Sequence, residues 1–313
     1  MKSGKSKKGK TPPASGKLQF RKLALLTWAI ILWGCSSVAP RGPQWHKRPD
    51  LSRVKTFAVI YRHVALDSLR PFELVILEPD AYSAAEIRTL QLQGKIVLGY
   101  LNVGEIERYR SFSGKVKSSW KLGPNPEWPD HDFVDPAKRG WQKILHRYRI
   151  QPMLEKGLDG FLLDSVDIAS GARFPRLKKA MAALIRRIRR WAPDAAIVAN
   201  NALFLLDEIS DEIDGVLLEE VFFSFDSSGN YAVRPAEEQF ARLQRIRSAR
   251  ERVSLPFFLV DYCPENWLEE CRQVEEICRA NDLVHFCTDR FASRIYAHVY
   301  ESAKDQTGNG LDD

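Results

Sequence analysis

Two short stretches of this chain run from Asp-Gly through three apolar residues to an acid, at 159–164 and 214–219. A pair of facing carboxylates is the equipment for glycoside hydrolysis. One protonates the departing oxygen; the other attacks the anomeric carbon or activates water. A separation of ~5–5.5 Å gives retention and ~6.5–9.5 Å gives inversion. Asp164 and Glu219 are the candidates for that pair. A carboxylate at a strand end is also a common helix N-cap, so either acid alone carries little weight. The shared register is the informative part. Asp167 and Glu220 compete for the same roles. Glu220 follows Glu219 and should face away from its cavity. Asp167 lies past the strand end, where it could line the site or cap a helix.

Such a pair works only if the elements bearing it are rigid and adjacent. Short apolar, β-branched runs at 57–61, 73–77, 95–101, 160–164, 195–200, 215–219, 257–261 and 283–287 read as strands buried on both faces. Amphipathic runs at 83–93, 140–156, 176–192, 236–251, 266–282 and 289–304 read as helices. Ser83 with Glu86 marks a capping box, and Pro152 should kink or break its helix. Eight strands alternating with helices predict an α/β fold, a single-domain (β/α)8 TIM barrel over 56–305, with 306–313 as a flexible tail. A doubly wound open sheet is the alternative; no glycine-rich phosphate loop follows the first strand. The long connection 102–139 should lie over the mouth as a functional loop.

In a barrel, chemistry sits at the C-terminal strand ends. The polar residues expected there are Tyr61, Asp80, Tyr100, Asn102, Asp164, Asn200, Glu219, Asp261 and Tyr262. A rim rich in acids, amides and phenols suits a polyhydroxylated or cationic ligand and suits phosphate poorly. Strands four and six stand two apart around the ring, and alternate strands contribute to one layer of a barrel interior. Asp164 and Glu219 should therefore meet across a shared cavity.

The net charge of +7 is misleading. Residues 1–34 hold eight Lys and Arg and no acid, which leaves 39 Lys+Arg against 40 Asp+Glu in the remainder. That near-neutral balance removes the electrostatic case for nucleic acid. The arginines of 176–192 read as a solvated helix face. The basic N-terminus leads to an apolar run at 23–34, too short to span a bilayer and suited to a signal peptide. Cys35 follows at once, in a context resembling a lipobox. The expectation is a signal segment over 1–35, lipidation of Cys35, a tether over 36–55, and export to an outer membrane face. Simple secretion and a retained anchor are the alternatives. For the other cysteines, Cys263 and Cys287 end neighbouring strands and form the plausible disulfide, with buried free thiols an equal possibility. No Cys/His spacing resembles a zinc site, and neither metal nor cofactor is expected.

The segments 99–110, 157–167, 213–223 and 259–263 together resemble glycoside hydrolase family 114, the endo-α-1,4-polygalactosaminidase-like barrels. The resemblance runs over residues 55–300. It implies Asp164 as nucleophile and Glu219 as acid/base, with Tyr100, Asn102, Glu105, Asp261 and Tyr262 lining the cleft. It implies a glycosidase acting on α-1,4-linked galactosamine-containing exopolysaccharide, read here as a retaining endo-enzyme; the other expected partner, from the leader and Cys35, is a membrane, and the chain is expected to act as a monomer. A non-catalytic carbohydrate-binding barrel and an α-glycosidase on a neutral galactoside are the competing readings.

Overall fold

The structure is a computed structural model, and it describes residues 48–296 apart from 172, 173, 175 and 227. The leader with Cys35, most of the expected tether and everything after residue 296 lie outside the described residues.

Eight parallel strands form one sheet: Phe57–Ile60, Leu74–Leu77, Ile96–Asn102, Gly160–Asp164, Ala196–Asn200, Gly215–Glu219, Phe257–Tyr262 and Val284–Thr288. They neighbour one another in chain order, each parallel to the next and joined to it by a crossover. The sheet curls until its ends meet. Phe57 of the first strand packs on Phe286 of the eighth with ring centroids 5.9 Å apart, and the Tyr61 amide donates to the Ala292 carbonyl at 2.7 Å. The architecture is the (β/α)8 barrel that the eight apolar runs predict. Those runs are apolar throughout because each strand is covered on both faces, by the barrel interior and by the helices. Each fully buried Leu, Ile, Val or Phe contributes about 1.5–3 kcal/mol relative to exposure.

The helices are α1 (Ala84–Leu92), α2 (Arg139–Leu145), α3 (Gln151–Lys156), α4 (Leu177–Trp191), α5 (Leu206–Ile209), α6 (Ala236–Arg250) and α7 (Leu268–Ala280). The Ser83–Glu86 capping box is formed. Pro152 does not break the run that contains it. A π-turn over His146–Ile150 joins α2 to α3, widening the helix where the proline removes a donor. In α4, Met181, Leu184, Ile185 and Ile188 face inward. Of its four arginines only Arg190 is exposed: Arg186 and Arg187 are half-buried and bond the Glu208 carbonyl and Gln142, and Arg189 is buried and ion-pairs with Asp214 at 2.6 Å, so the expected solvated face is only partly present.

The repeated Asp-Gly pairs have a structural purpose of their own. The Asp159 carboxylate accepts the Val97 amide of the third strand, and Asp214 accepts the Ile197 amide of the fifth, each at 2.8 Å. Each clips its strand to the preceding one at the barrel floor. Gly160 is obligatory there, since a Cβ would come within 1.9 Å of the Ala196 carbonyl oxygen.

Three expectations change. The last part of the supposed tether belongs to the barrel, because Leu51 and Val54 are core residues. The described part of the last expected helix, 289–296, is turn and irregular chain. Cys287 is bonded to Cys271 rather than to Cys263. In the parallel register Cys287 lies level with Asp261, two residues short of Cys263, while α7 carries Cys271 over the eighth strand. The Cys263 sulfur stands 2.9 Å from that of Cys271, and Cys278 is a buried free thiol. No described helix is long and apolar enough to cross a membrane.

Candidate active site

The register brings the two acids to one height. Leu163 pairs with Ala199, and Asn200 pairs with Leu217, so Glu219 stands two residues further along than Asp164. An advance of two over two strands is the stagger of a closed eight-stranded barrel with shear eight, which returns both acids to one layer. Asp164, Asn200 and Glu219 each end their strand, and the next residue of each takes a left-handed backbone: Ser165 at φ 57°, Asn201 at 50° and Glu220 at 56°. Such residues cost about 1 kcal/mol or more and gather at functional sites. Here they turn the chain outward at once and leave the preceding side chain at the lip.

One amide joins the two carboxylates. Asn200 Nδ2 donates to Asp164 Oδ1 and to Glu219 Oε2, both at 2.9 Å. Those oxygens are therefore no more than about 5.8 Å apart, and about 5 Å if each takes one amide hydrogen. Tyr100 donates its phenol to Asp164 Oδ2 at 2.7 Å, and Ser165 N donates to Oδ1 at 2.7 Å. Tyr262 donates to Glu219 Oε1 at 2.5 Å, and Asn201 Nδ2 donates to Oε2 at 3.0 Å. The Tyr61 ring lies 4.6 Å from that of Tyr100. Burial, then the nearby carboxylates, raises all three phenols well above their ordinary value, so they remain donors.

Burial and the Asp164 charge push Glu219 up to about 7, against the opposing pull of Tyr262 and Asn200. Burial, then Asp164, pushes Asp167 up to about 7 as well. The site thus holds a carboxyl that carries a proton near neutrality, within one sugar unit of the Asp164 carboxylate. General acid catalysis at a glycosidic oxygen needs that combination.

The pair lies at the bottom of a cleft of about 1250 Å³. Tyr61, Asp80, Tyr100, Glu105, Asp164, Asp167, Glu219, Glu220 and Tyr262 all line it. Several of these acids are already engaged. Arg110 and Arg149 each bind both Glu78 and Asp80. Burial alone would raise the Asp80 carboxyl, but the two arginines outweigh it and hold the carboxyl below its ordinary value. Glu105 bonds Asn125 at 2.9 Å and His131 at 2.8 Å. Burial opposes protonation of His131, yet Glu105 raises it overall. Glu220 pairs with Arg234 at 2.7 Å.

Three expected cleft residues sit elsewhere. Asp261 is 0% exposed and accepts the Phe222 and Phe223 amides at 2.8 and 2.9 Å. Strand alternation explains it: Tyr262 points inward, so its neighbour Asp261 must point out. Asp261 holds the turn that follows Glu219. Asn102 is buried and spends its carbonyl on the Gly104 and Glu105 amides, shaping the loop that presents Glu105. Asn200, 2% exposed, lies beneath the cleft rather than in its wall.

The long connection is a built wall. Glu105–Glu107, His131–Val134 and Lys121–Pro124 form a three-stranded antiparallel sheet. With the loops that join them, these strands bring Tyr109, Asn125, Trp128 and His131 to the cleft. A hairpin of Phe223–Phe225 with Tyr231–Val233 brings Phe225, and the turn after the eighth strand brings Arg290 and Phe291. The length of the 102–139 connection is the sequence signal for this wall; nothing local marks Arg290.

A family model described as glycoside-hydrolase family GH114 matches residues 36–295. The glycoside hydrolase domain of PelA from Pseudomonas aeruginosa superposes with a TM-score of 0.70 at 21% identity, covering 77% of this chain and 97% of that one. Ega3 of Aspergillus fumigatus, solved in complex with galactosamine, superposes at 0.63 with 14% identity, covering 80% and 96%. An uncharacterised protein of Deinococcus radiodurans is 27% identical over 278 residues, 80% of this chain and 85% of its own length.

Proposed function

The chain belongs to glycoside-hydrolase family GH114, and from that premise we propose that it is an exported, membrane-tethered, retaining endo-glycosidase of α-1,4-linked galactosamine-containing polysaccharide. The observation that carries the retaining mechanism is the shared Asn200 amide. With the two bonded oxygens no more than about 5.8 Å apart, the spacing supports the closer arrangement of retaining enzymes, ~5–5.5 Å, over the ~6.5–9.5 Å of inverting ones.

In the first step Asp164 attacks the anomeric carbon while Glu219 gives its proton to the leaving oxygen. The glycosidic bond breaks as the ester to Asp164 forms. In the second step Glu219 takes a proton from water, whose oxygen displaces Asp164. The acid-rich floor favours an amino sugar in its ammonium form, and Ega3, a protein of similar fold, was solved with galactosamine. The basic stretch and apolar run before Cys35 support export and lipid anchoring.

The test is reducing-end release from partially deacetylated α-1,4-galactosaminan against a panel of neutral galactans, with the anomer of the first product read by NMR. Cleavage of the amino polymer with retained configuration is the expected result. Inverted product overturns the mechanism. Cleavage of the neutral galactans alone overturns the substrate. Binding of the polymer without cleavage makes the protein a carbohydrate-binding barrel.

A further inference from the structure

Five arginines line the cleft, and four of them face acids. Arg110 and Arg149 are ion-paired with Glu78 and Asp80, Arg234 is paired with Glu220 and Glu238, and Arg242 stands in the field of the same two glutamates. Arg290 has no carboxylate partner among the described residues. Its Nε is buried without a hydrogen-bond partner, and its two terminal nitrogens have none among the described residues.

The guanidinium is nevertheless held in a fixed place. It packs over the rings of Phe291, Phe225 and Trp128, 4.7, 5.3 and 5.8 Å from their centroids. The hairpin supports it from below. The Arg290 backbone amide donates to the Tyr231 hydroxyl at 3.1 Å, and Gly229, at φ +84°, lets the chain pass where any Cβ would lie 2.3 Å from Arg290 Nη1. Segments that follow the third, sixth and eighth strands thus converge on one cation in the cleft wall. With Nε buried and the rings packed around Cζ, the Nη1–Nη2 edge is the part of the guanidinium left for a ligand. That edge offers two parallel donors, the match for a planar carboxylate. A doubly charged phosphate would meet more repulsion from Asp164, Asp167 and Glu105 in the same cleft than a carboxylate carrying one charge.

We infer that Arg290, with Trp128, Phe225 and Phe291, forms a subsite for a carboxylate-bearing sugar unit, set apart from the acid-rich floor. The cleft would then read a polymer of mixed charge, with an amine at the scission site and a carboxylate on a unit farther along. The inference rests on the saccharide-cleaving reading of the cleft and adds a second recognition element to it.

The experiment titrates the full chain, by calorimetry or saturation-transfer NMR, with trigalacturonate and with its neutral counterpart galactotriose. The wild type should bind the acidic trisaccharide about tenfold more tightly at low salt, a charge-assisted preference that fades as salt is added. Arg290→Gln should abolish that preference. Arg290→Lys, which keeps the charge but not the two-donor edge, should retain only part of it. Reading the ratio of the two affinities separates recognition from any general loosening of the wall, which would weaken both ligands alike. An acidic-to-neutral ratio near one in the wild type, or one unchanged in Arg290→Gln, overturns the subsite. Reducing-end release from the amino polymer, measured on the same preparations, reports separately on the glycosidase reading.

Discussion

Asp164 and Glu219 sit on strands two apart and share a single hydrogen-bond donor, the Asn200 side-chain amide. The two carboxylates are therefore not independent. Whatever moves Asn200 moves both, and the charge on one is felt by the other, as the upward push on Glu219 shows.

The first expected outcome separates their roles. Asp164→Ala and Glu219→Ala should each lose roughly a thousandfold or more in turnover. Azide added with an aryl glycoside should rescue both, but with opposite stereochemistry. It replaces the nucleophile in Asp164→Ala and yields the inverted glycosyl azide. It intercepts the glycosyl-enzyme in Glu219→Ala and yields the retained one. Product NMR decides, and the reverse pattern would exchange the assignments.

Activity should fall as pH rises through about 7, where Glu219 gives up the proton it must donate. Two substitutions should move that limb in opposite directions. Tyr262→Phe removes a donor that favours the charged form, so the limb moves up. Asp167→Asn removes a charge that favours the neutral form, so the limb moves down. Initial rates between pH 5 and 9 report both shifts.

Stability should show the same group with its sign reversed from the usual salt-bridged acid. Glu219 is raised from its ordinary 4.5 to about 7 in the folded chain. Its contribution is fully present below about 4.5 and is lost as pH rises through 7, where a charge must be kept in the cleft floor. Glu219→Gln has no such charge. It should exceed the wild type by about 1–2 kcal/mol at pH 8, cleft water screening the remainder, with the gap closing by pH 5. Thermal unfolding at the two pH values checks this.

Asn200→Ala should lower turnover about ten- to a hundredfold while moving the alkaline limb upward, since its bond favours ionised Glu219. Loss of turnover with no movement of the limb would mean that Asn200 only fills space.

Asp261→Ala strands the Phe222 and Phe223 amides and removes the partner of His285, at a cost of about 2–4 kcal/mol in denaturant unfolding. Asp261→Asn keeps an acceptor for the two amides and should lose less.

The barrel was legible because its strands are buried on both faces and read as unbroken apolar runs. The juxtaposed acids Asp164 and Glu219 were legible because the same six-residue pattern occurs twice. Asp261 was misplaced because a strand-end residue looks the same in sequence whether it points in or out; only the inward Tyr262 beside it decides. Asn200 was visible as a rim residue, but its place between two carboxylates depends on pairing with strands on either side. Arg290 had no local signature, since its surroundings come from three segments far apart in the chain.

The clips formed by Asp159 and Asp214 lie five residues along their strands, about 16 Å, before Asp164 and Glu219. Vertical alignment of the chemistry is thus set on the opposite face of the molecule, out of reach of any bound glycan. Mouth segments that touch neither acid, such as the hairpin of Phe223–Phe225 with Tyr231–Val233, can vary without loosening those clips. A lesion at either clip, by contrast, would behave as an active-site defect while touching nothing the enzyme binds.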